Sequence, residues 1–475
     1  MKIPSAAQPK NDQDKARWKE QGLRRRLLTG AHIEDVRQEI ESMFSKEIAV
    51  DLEINPDLSR NPFLLIWQQL NVAYIEPPEV SVEEDIDLES IVTPKLWAQM
   101  QQTSLYALAM GECLVRLDFR HWLADTEVSY RVVTPDVVLV EAMKGQPDKA
   151  GKVTEYRTRN GDTITREVWD VRDANEPIFR IEKQGKGGWM DATAEFAPEL
   201  VDEYPYRDTS GAPILPYILY HNRVGSKLFN WTQGSEISAG ALRLAALFTH
   251  WGDGFTNAAY PQRYIVDLES PSGRTETLGG QAVDVVTVDR KSILKFKSQG
   301  PSGGSLGQFS ASMDPLASIE ALKVYEQGLA VYAGLNPSDL AVTQSAQSGY
   351  AIVVSREGQR RAQKLIEPSL RIGDQELLAT AARLSNFYLG DNLPESPRDY
   401  SIMYRALMPT PTELDSLAKS LESRLNLGVI SQLDAMRELY PEIESDEQAI
   451  TRLLRIKELE AMLASTNDDT QNTEL

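Results

Sequence analysis

The chain has 475 residues, 41% of them hydrophobic, which is enough for a large core and, on length, two to four domains. Acids outnumber bases by 70 to 50. The net charge of −20 argues against a surface that grips nucleic acid tightly all over, because that grip comes from Lys and Arg on phosphates, but it does not exclude a protein that DNA slides past, since acidic walls repel the backbone.

Residues 1–110 read mostly as helix. The first twenty residues lack an apolar signal core, so no secretory signal is expected. No run of about 18 apolar residues occurs either, so no membrane span is expected. KARWKEQGLRRRLL (15–28) is a basic amphipathic candidate, and Ile33, Val36, Ile40, Met43 and Phe44 recur at helical spacing. Asn61 followed by Pro62 predicts an N-cap and first turn, with the helix FLLIWQQLNVAY stopped by the prolines of IEPPEV. Another helix follows Thr93-Pro94.

From Gly111 the period becomes alternating. ECLVRLDF, SYRVV, DVVLVEAM, KVTEYRTR, TITREVWDV and IFRIEKQG are predicted strands, and Asn160-Gly161 predicts a two-residue hairpin. The β-rich stretch closes near LPYILYHNR (215–223). A small-residue helix, SEISAGALRLAALFTHW (235–251), precedes a second β-rich island at 259–312, with QRYIVDLE, DVVTVD and SILKFK as strands and SQGPSGGSLGQFSAS as a closing loop. Asp314, Pro315 and Gly334 bracket the next helix, whose apolar stripe is Leu316, Ile319, Leu322, Tyr325, Leu329 and Tyr332. A polar loop (335–349) leads into a basic helix interrupted by Pro368. Three C-terminal helices carry capping pairs: Thr410 with Glu413, Ser431 with Asp434, and Ser445 with Gln448. Residues 464–475 are polar and predicted to fray.

The chemistry-bearing residues form no catalytic pattern. The histidines, at 32, 121, 221 and 250, are far apart, and no HExxH, CxxC, Walker A or G-x-S-x-G occurs. GPSGGSLGQ (300–308) reads as a flexible segment rather than a phosphate loop. His121 and His250 read as packed side chains before they read as bases. The single cysteine, Cys113, allows no disulfide within the chain and fits a reducing compartment. No catalytic, cofactor or metal residue is assigned.

The order of pieces, together with NPFLLIWQQLNVAYIEPPEV, GECLVRLDF, FTNAAYPQRYIV, SGYAIVVSREGQRR and the stretch LGVISQLDAMRELYPEIESDEQAITRLLRIKELEA, resembles the portal proteins of tailed bacteriophages over roughly residues 30–460. The resemblance implies an α+β, mainly helical fold: a wing with a β-rich insert (1–233), stem helices (234–258 and 313–334) around a small α/β clip (259–312), a tunnel loop (335–349), a long kinked wing helix and return (350–410), and a helical crown (411–463). It implies a non-catalytic, roughly twelve-fold ring at one capsid vertex. That ring is the channel for genome packaging and ejection. The implied partners are double-stranded DNA, the terminase large subunit, major capsid and scaffolding protein, and neck or adaptor protein, with no membrane and no cofactor. The implied location is the virion, with the host cytoplasm during assembly.

On this reading Thr343, Gln344, Ser345, Gln347 and Ser348 face DNA through exchangeable hydrogen bonds. Arg356, Arg360, Arg361 and Lys364 form a basic helix face turned to the lumen or a neighbouring subunit, or paired within the chain with Glu357 and Glu367. Arg290, Lys291, Lys295 and Lys297 mark a partner-binding patch on the clip, or a strand edge guarded by lysine. A soluble α+β hydrolase using carboxylates and a neck adaptor are the competing readings.

Overall fold

The computed structural model describes residues 12–43, 55–82, 86–121, 127–159, 163–185, 187–223, 228, 234–259, 262–266, 274–278, 281–285, 294–296, 305–309, 314–336, 349–405, 411–440, 443 and 445–457. Side chains of 256–309 and 349–357 lie outside the description. The architecture is α+β, in two compact units: 1–340 with 361–405, and 341–360 with 406–475.

In the first unit, α1 (Asp12–Thr29) is the basic helix, but its arginines are not a solvated face. Arg17 and Arg24 are buried because they meet backbone carbonyls. Arg17 donates to Pro135 O and Val138 O, each at 3.2 Å. Gln21 and Arg24 donate to Met110 O and Ala109 O, at 2.8 and 3.4 Å. Those two carbonyls end α4 (Pro94–Met110), where a helix has no acceptor-satisfying partner of its own and favours positive charge. Thr93 Oγ1 caps the other end by accepting from Leu96 N, and Gly111, at φ +83°, turns the chain into β2 (Glu112–Asp118).

α2 (Ile33–Ser42) packs Val36 and Ile40 on Ala245 and Ala246. α3 (Pro62–Leu70) begins as expected: Asn61 Oδ1 accepts from Leu64 N at 3.2 Å. It ends at Leu70, earlier than the prolines require, because Val72, Ala73 and Tyr74 are drawn into the core in irregular backbone. Beyond it, β1 (Glu79–Ser81) pairs with β15 (Ser401–Met403).

β2 is the centre of a sheet ordered β3-β2-β9, where β3 is Ser129–Val133 and β9 is Tyr217–His221. β4 (Val138–Met143), β5 (Gln146–Arg159), β6 (Thr163–Asp170), β7 (Ile178–Gly185) and β8 (Gly188–Asp191) form an antiparallel meander. Arg159 pairs with Thr163, while Asn160 and Gly161, the predicted hairpin turn, lie outside the described residues. A one-turn helix, α5 (Thr193–Phe196), follows the meander.

α6 (Ser235–Ala259) runs further than its periodicity suggested. The island then forms β10 (Gln262–Val266), β11 (Arg274–Leu278), β12 (Gln281–Val285), β13 (Leu294–Phe296) and β14 (Ser305–Phe309), in sheets β13-β10-β14 and β11-β12. β14 corrects the closing-loop expectation: pairing with β10 from Gln262 opposite Phe309 to Val266 opposite Ser305 overrides the glycine-rich composition. α7 (Pro315–Tyr332) is capped by Asp314, which accepts from Leu316 N and Ala317 N, and Gly334, at φ +88°, ends it. α8 (Gly349–Leu389) contains Pro368 within a single helix.

The second unit holds α9 (Pro411–Asn426), α10 (Gln432–Leu439) and a helical stretch at 446–457. The Ser431–Asp434 capping box is reciprocal, and Ser445 Oγ accepts from Gln448 N at 3.3 Å. Thr410 and the tail at 464–475 lie outside the described residues. Met436, Ile443 and Ala449 form the small core there.

Candidate functional site

Within the first unit, the β-rich island is joined in sequence to the rest of the chain through α6 and α7. α6 presents Ile237, Ser238, Ala241, Leu244, Ala245 and Ala246 as its buried face. Gly240 permits the close approach of α7, because a Cβ there would lie 2.5 Å from Leu329 Cδ2. An ion pair crosses the same region: Arg60 Nη1 meets Glu326 Oε2 at 2.8 Å, with Glu326 only 7% exposed, and the Arg60 guanidinium lies 5.6 Å from the Phe248 ring centroid. Phe248, Trp251 and Phe255 stack in sequence along α6, at 5.5 and 5.8 Å.

α7 corrects the stripe read from its sequence. Leu316, Tyr325 and Tyr332 are 78%, 40% and 61% exposed, and Val324 and Val331 join them on the open side. Ala317, Ala321 and Gly328 are exposed there too. The face that packs within the chain is instead Ile319, Leu322, Glu326, Leu329 and Ala330.

The sequence-predicted residues fall unevenly on the described chain. Thr343, Gln344, Ser345, Gln347 and Ser348 lie outside the described residues, as do Arg290, Lys291 and Lys297. Lys295 sits in β13, opposite Ile265 of β10, with its side chain undescribed. Arg356 is helical in backbone only, while Arg360 is half-buried and Arg361 and Lys364 are exposed on α8. Burial raises the Glu367 carboxyl, while Gln363, Arg371 and Lys364 act the other way, so Lys364 has an acid one turn along its own helix.

Two buried polar clusters have no counterpart in the sequence reading. In the first, Arg116 of β2 lies between the rings of Trp169 and Tyr217, at 5.3 and 5.5 Å. It bonds Glu167, Glu155 (3.2 Å), Asp118 (2.6 Å) and the Tyr217 hydroxyl (3.0 Å). Glu155 also takes both nitrogens of Arg131 (3.0 Å each), Arg157 and the Tyr217 hydroxyl (2.7 Å), and Glu167 takes Arg159 (2.5 Å). Burial opposes the Arg116 charge, but Glu167, Tyr217, Asp118 and Glu155 outweigh it and hold the guanidinium above its ordinary value. Glu167, also buried, is driven below the usual carboxyl range by Arg116, Arg159 and Arg131.

In the second cluster, Asp374 of α8 accepts three phenols: Tyr74 (2.7 Å) and Tyr404 (2.6 Å) on Oδ2, and Tyr220 (2.9 Å) on Oδ1. Burial pushes its carboxyl up to about 6, against the lowering effect of those bonds. Gly373 makes this possible, since a Cβ there would lie 2.4 Å from Tyr220 Cε1. The signal available in the sequence was only three tyrosines and one mid-helix Gly-Asp, which spacing does not connect.

His121 stacks on Tyr388 at 4.2 Å, with Nε2 3.0 Å from Pro205 O, and burial lowers His32, His221 and His250. The Cys113 thiol, buried and 3.2 Å from Thr103 O, is raised by burial. Among the described residues no group of three or more His, Cys, Asp or Glu could hold a metal ion, and no helix is long and apolar enough to cross a membrane.

No protein-family profile matches the chain, and no curated protein matches it. Among solved structures, the chain is similar to one described as the virion of a native gene transfer agent particle, at 13% identity over 80% of this chain and 89% of that one. The TM-score of 0.34 lies below the level that marks a common fold.

Proposed function

We propose that the chain is a non-catalytic subunit of a portal ring in a phage-like virion: the channel for genome packaging and ejection, and the platform on which terminase and then neck proteins dock. The observation that carries the reading is the helix pair. α6 and α7 bracket a β island in sequence, and α7 leaves an apolar, small-residue face open to solvent along its length. An isolated soluble chain gains nothing from such a face, whereas a closed ring buries it against the next copy. The reading agrees with the kind of particle to which the similar solved chain belongs, without resting on it.

The test is the native mass of the purified protein by light scattering, with negative-stain images. A species of about twelve chains, roughly 640 kDa from a 53.1 kDa subunit, with a central hole is the expected result. A monomer that stays monomeric when scaffolding and capsid protein are supplied overturns it. Within the ring, deleting 343–348 is expected to leave assembly intact and reduce retained DNA. Lys295→Glu with Lys297→Glu is expected to weaken terminase binding while the ring still forms. Normal DNA content in the first variant, or unchanged terminase affinity in the second, removes the corresponding assignment.

A further inference from the structure

A cleft of about 460 Å³ opens between α1, α4, β3 and β5. Residues 131–134 and residues 155–158 both border it. Side chains along a strand alternate between faces, so four consecutive residues border one space only where the strand's edge forms the wall. The pairing agrees. β3 ends its sheet. β4 covers β5 only as far as Glu155, opposite Val138, whereas β6 runs on to Thr163, opposite Arg159. Among the described residues, the outer edge of β3 and that of β5 from Tyr156 onward therefore pair with no strand. An open edge offers backbone donors and acceptors to any extended segment that reaches it.

The charge around these edges is opposite to that of the chain. Among the described residues Arg25, Arg131 and Arg157 line the cleft with Glu155, and Arg25 already meets Asp136 just behind it, at 2.7 Å. Glu155 is already shared among Arg116, Arg131 and Arg157. Among the described residues, the network behind this wall sets four guanidiniums, Arg131 and Arg157 at the cleft and Arg116 and Arg159 beyond it, against three carboxylates, Asp118, Glu155 and Glu167. One positive charge is left over, in a chain whose net charge is −20. Val132, Val137 and Tyr106 supply apolar wall between the polar groups.

We propose that this cleft accepts an extended acidic peptide segment of a partner protein, which adds a strand to the outer edge of β3 and sets its carboxylates against Arg25, Arg131 and Arg157. The segment alternates acidic and apolar residues, because one face of the added strand meets guanidiniums and the other meets the valines. The site is separate from the ring contact on α7, so its test does not depend on assembly.

Thr158 is exposed at the rim, so its substitution changes the charge of the cleft without disturbing the core. A labelled, end-capped Glu-Val-Glu-Val-Glu-Val peptide is titrated with the full chain and read by fluorescence anisotropy. It is expected to bind, with Thr158→Glu weakening and Thr158→Lys tightening the affinity by on the order of tenfold. The Lys-Val counterpart, and an acidic peptide N-methylated at alternate residues, are expected not to bind. Three results overturn the proposal: no preference for the acidic over the basic peptide, indifference to both substitutions at 158, or equal binding of the N-methylated peptide. Displacement by an equal concentration of inorganic phosphate also overturns it, by showing a simple oxyanion site.

Discussion

Asp374 concentrates the argument at the scale of a residue. Its carboxyl ordinarily titrates near 3.8 and is raised to about 6 in the fold, with Tyr74, Tyr220 and Tyr404 in contact and Arg371 and Cys113 acting on those tyrosines. Between those two values the folded chain keeps a proton that the unfolded chain has released. The contribution to stability is therefore full below pH 4 and is lost as pH rises through 6, a change on the order of 3 kcal/mol. Asp374→Asn is expected to remove this slope, so the difference in urea midpoint between variant and parent should change from pH 4 to pH 7. A constant difference would mean that the carboxyl is not held protonated. Gly373→Ala is expected to destabilise by about 2 kcal/mol or more, since the added methyl meets a buried ring rather than a flexible end. Neither residue stood out in the sequence, because a buried acid is indistinguishable from a surface acid until its partners, drawn from three distant segments, are in place. The same holds for Arg17 and Arg24: their spacing gave the helix, while their burial is decided by distant carbonyls, those of Pro135 and Val138 for Arg17 and that of Ala109 at the end of α4 for Arg24.

Local chemistry made most elements legible. Asn61, Thr93, Asp314 and Ser431 each accept the backbone bond that their position promised, because capping is decided within four residues. What spacing missed was decided by tertiary pairing. β14 forms in a glycine-rich stretch because β10 needs a neighbour, and α7 turns Glu326 inward because Arg60 waits there. The α7 stripe joined two faces: Ile319, Leu322 and Leu329 pack within the chain while Leu316, Tyr325 and Tyr332 are exposed, because apolar residues lie on both sides of this helix and periodicity alone does not separate them. Arg60→Ala is expected to leave the Glu326 carboxylate buried without its cation and to cost about 3 kcal/mol, measurable by denaturant unfolding. Arg60→Ala combined with Glu326→Ala should recover part of that loss, and a double variant no better than the single one would show that the pair contributes through packing alone.

Across the whole molecule the legible part was the order of segments: helices, β insert, helix, β island, helix, long helix and C-terminal helices all occur in that sequence. The candidate site was legible only as a proposal. Residues 343–348 with Arg290, Lys291 and Lys297 lie outside the described residues, Lys295 is described in backbone only, and the arginine-rich cleft came from side chains that α1, α4, β3 and β5 bring together. The chain's charge makes a further prediction at this scale. With −20 on each copy, the proposed ring assembly through the apolar face of α7 should become more favourable as added salt screens repulsion between copies. Sedimentation across a salt series checks this, and a ring that dissociates with salt would point instead to ion pairs as the contact.

The long reach of the Asp374 cluster also sets a timetable for synthesis. Tyr74 and Asp374 are 300 residues apart, and Arg60 and Glu326 are 266 apart. At about 5–20 residues per second, a ribosome needs roughly 15–60 seconds between making Tyr74 and making its partner. Throughout that interval the first helices exist without the elements that complete their core. The α3 region is thus made well before its partners and is locked only once α8 has left the exit tunnel.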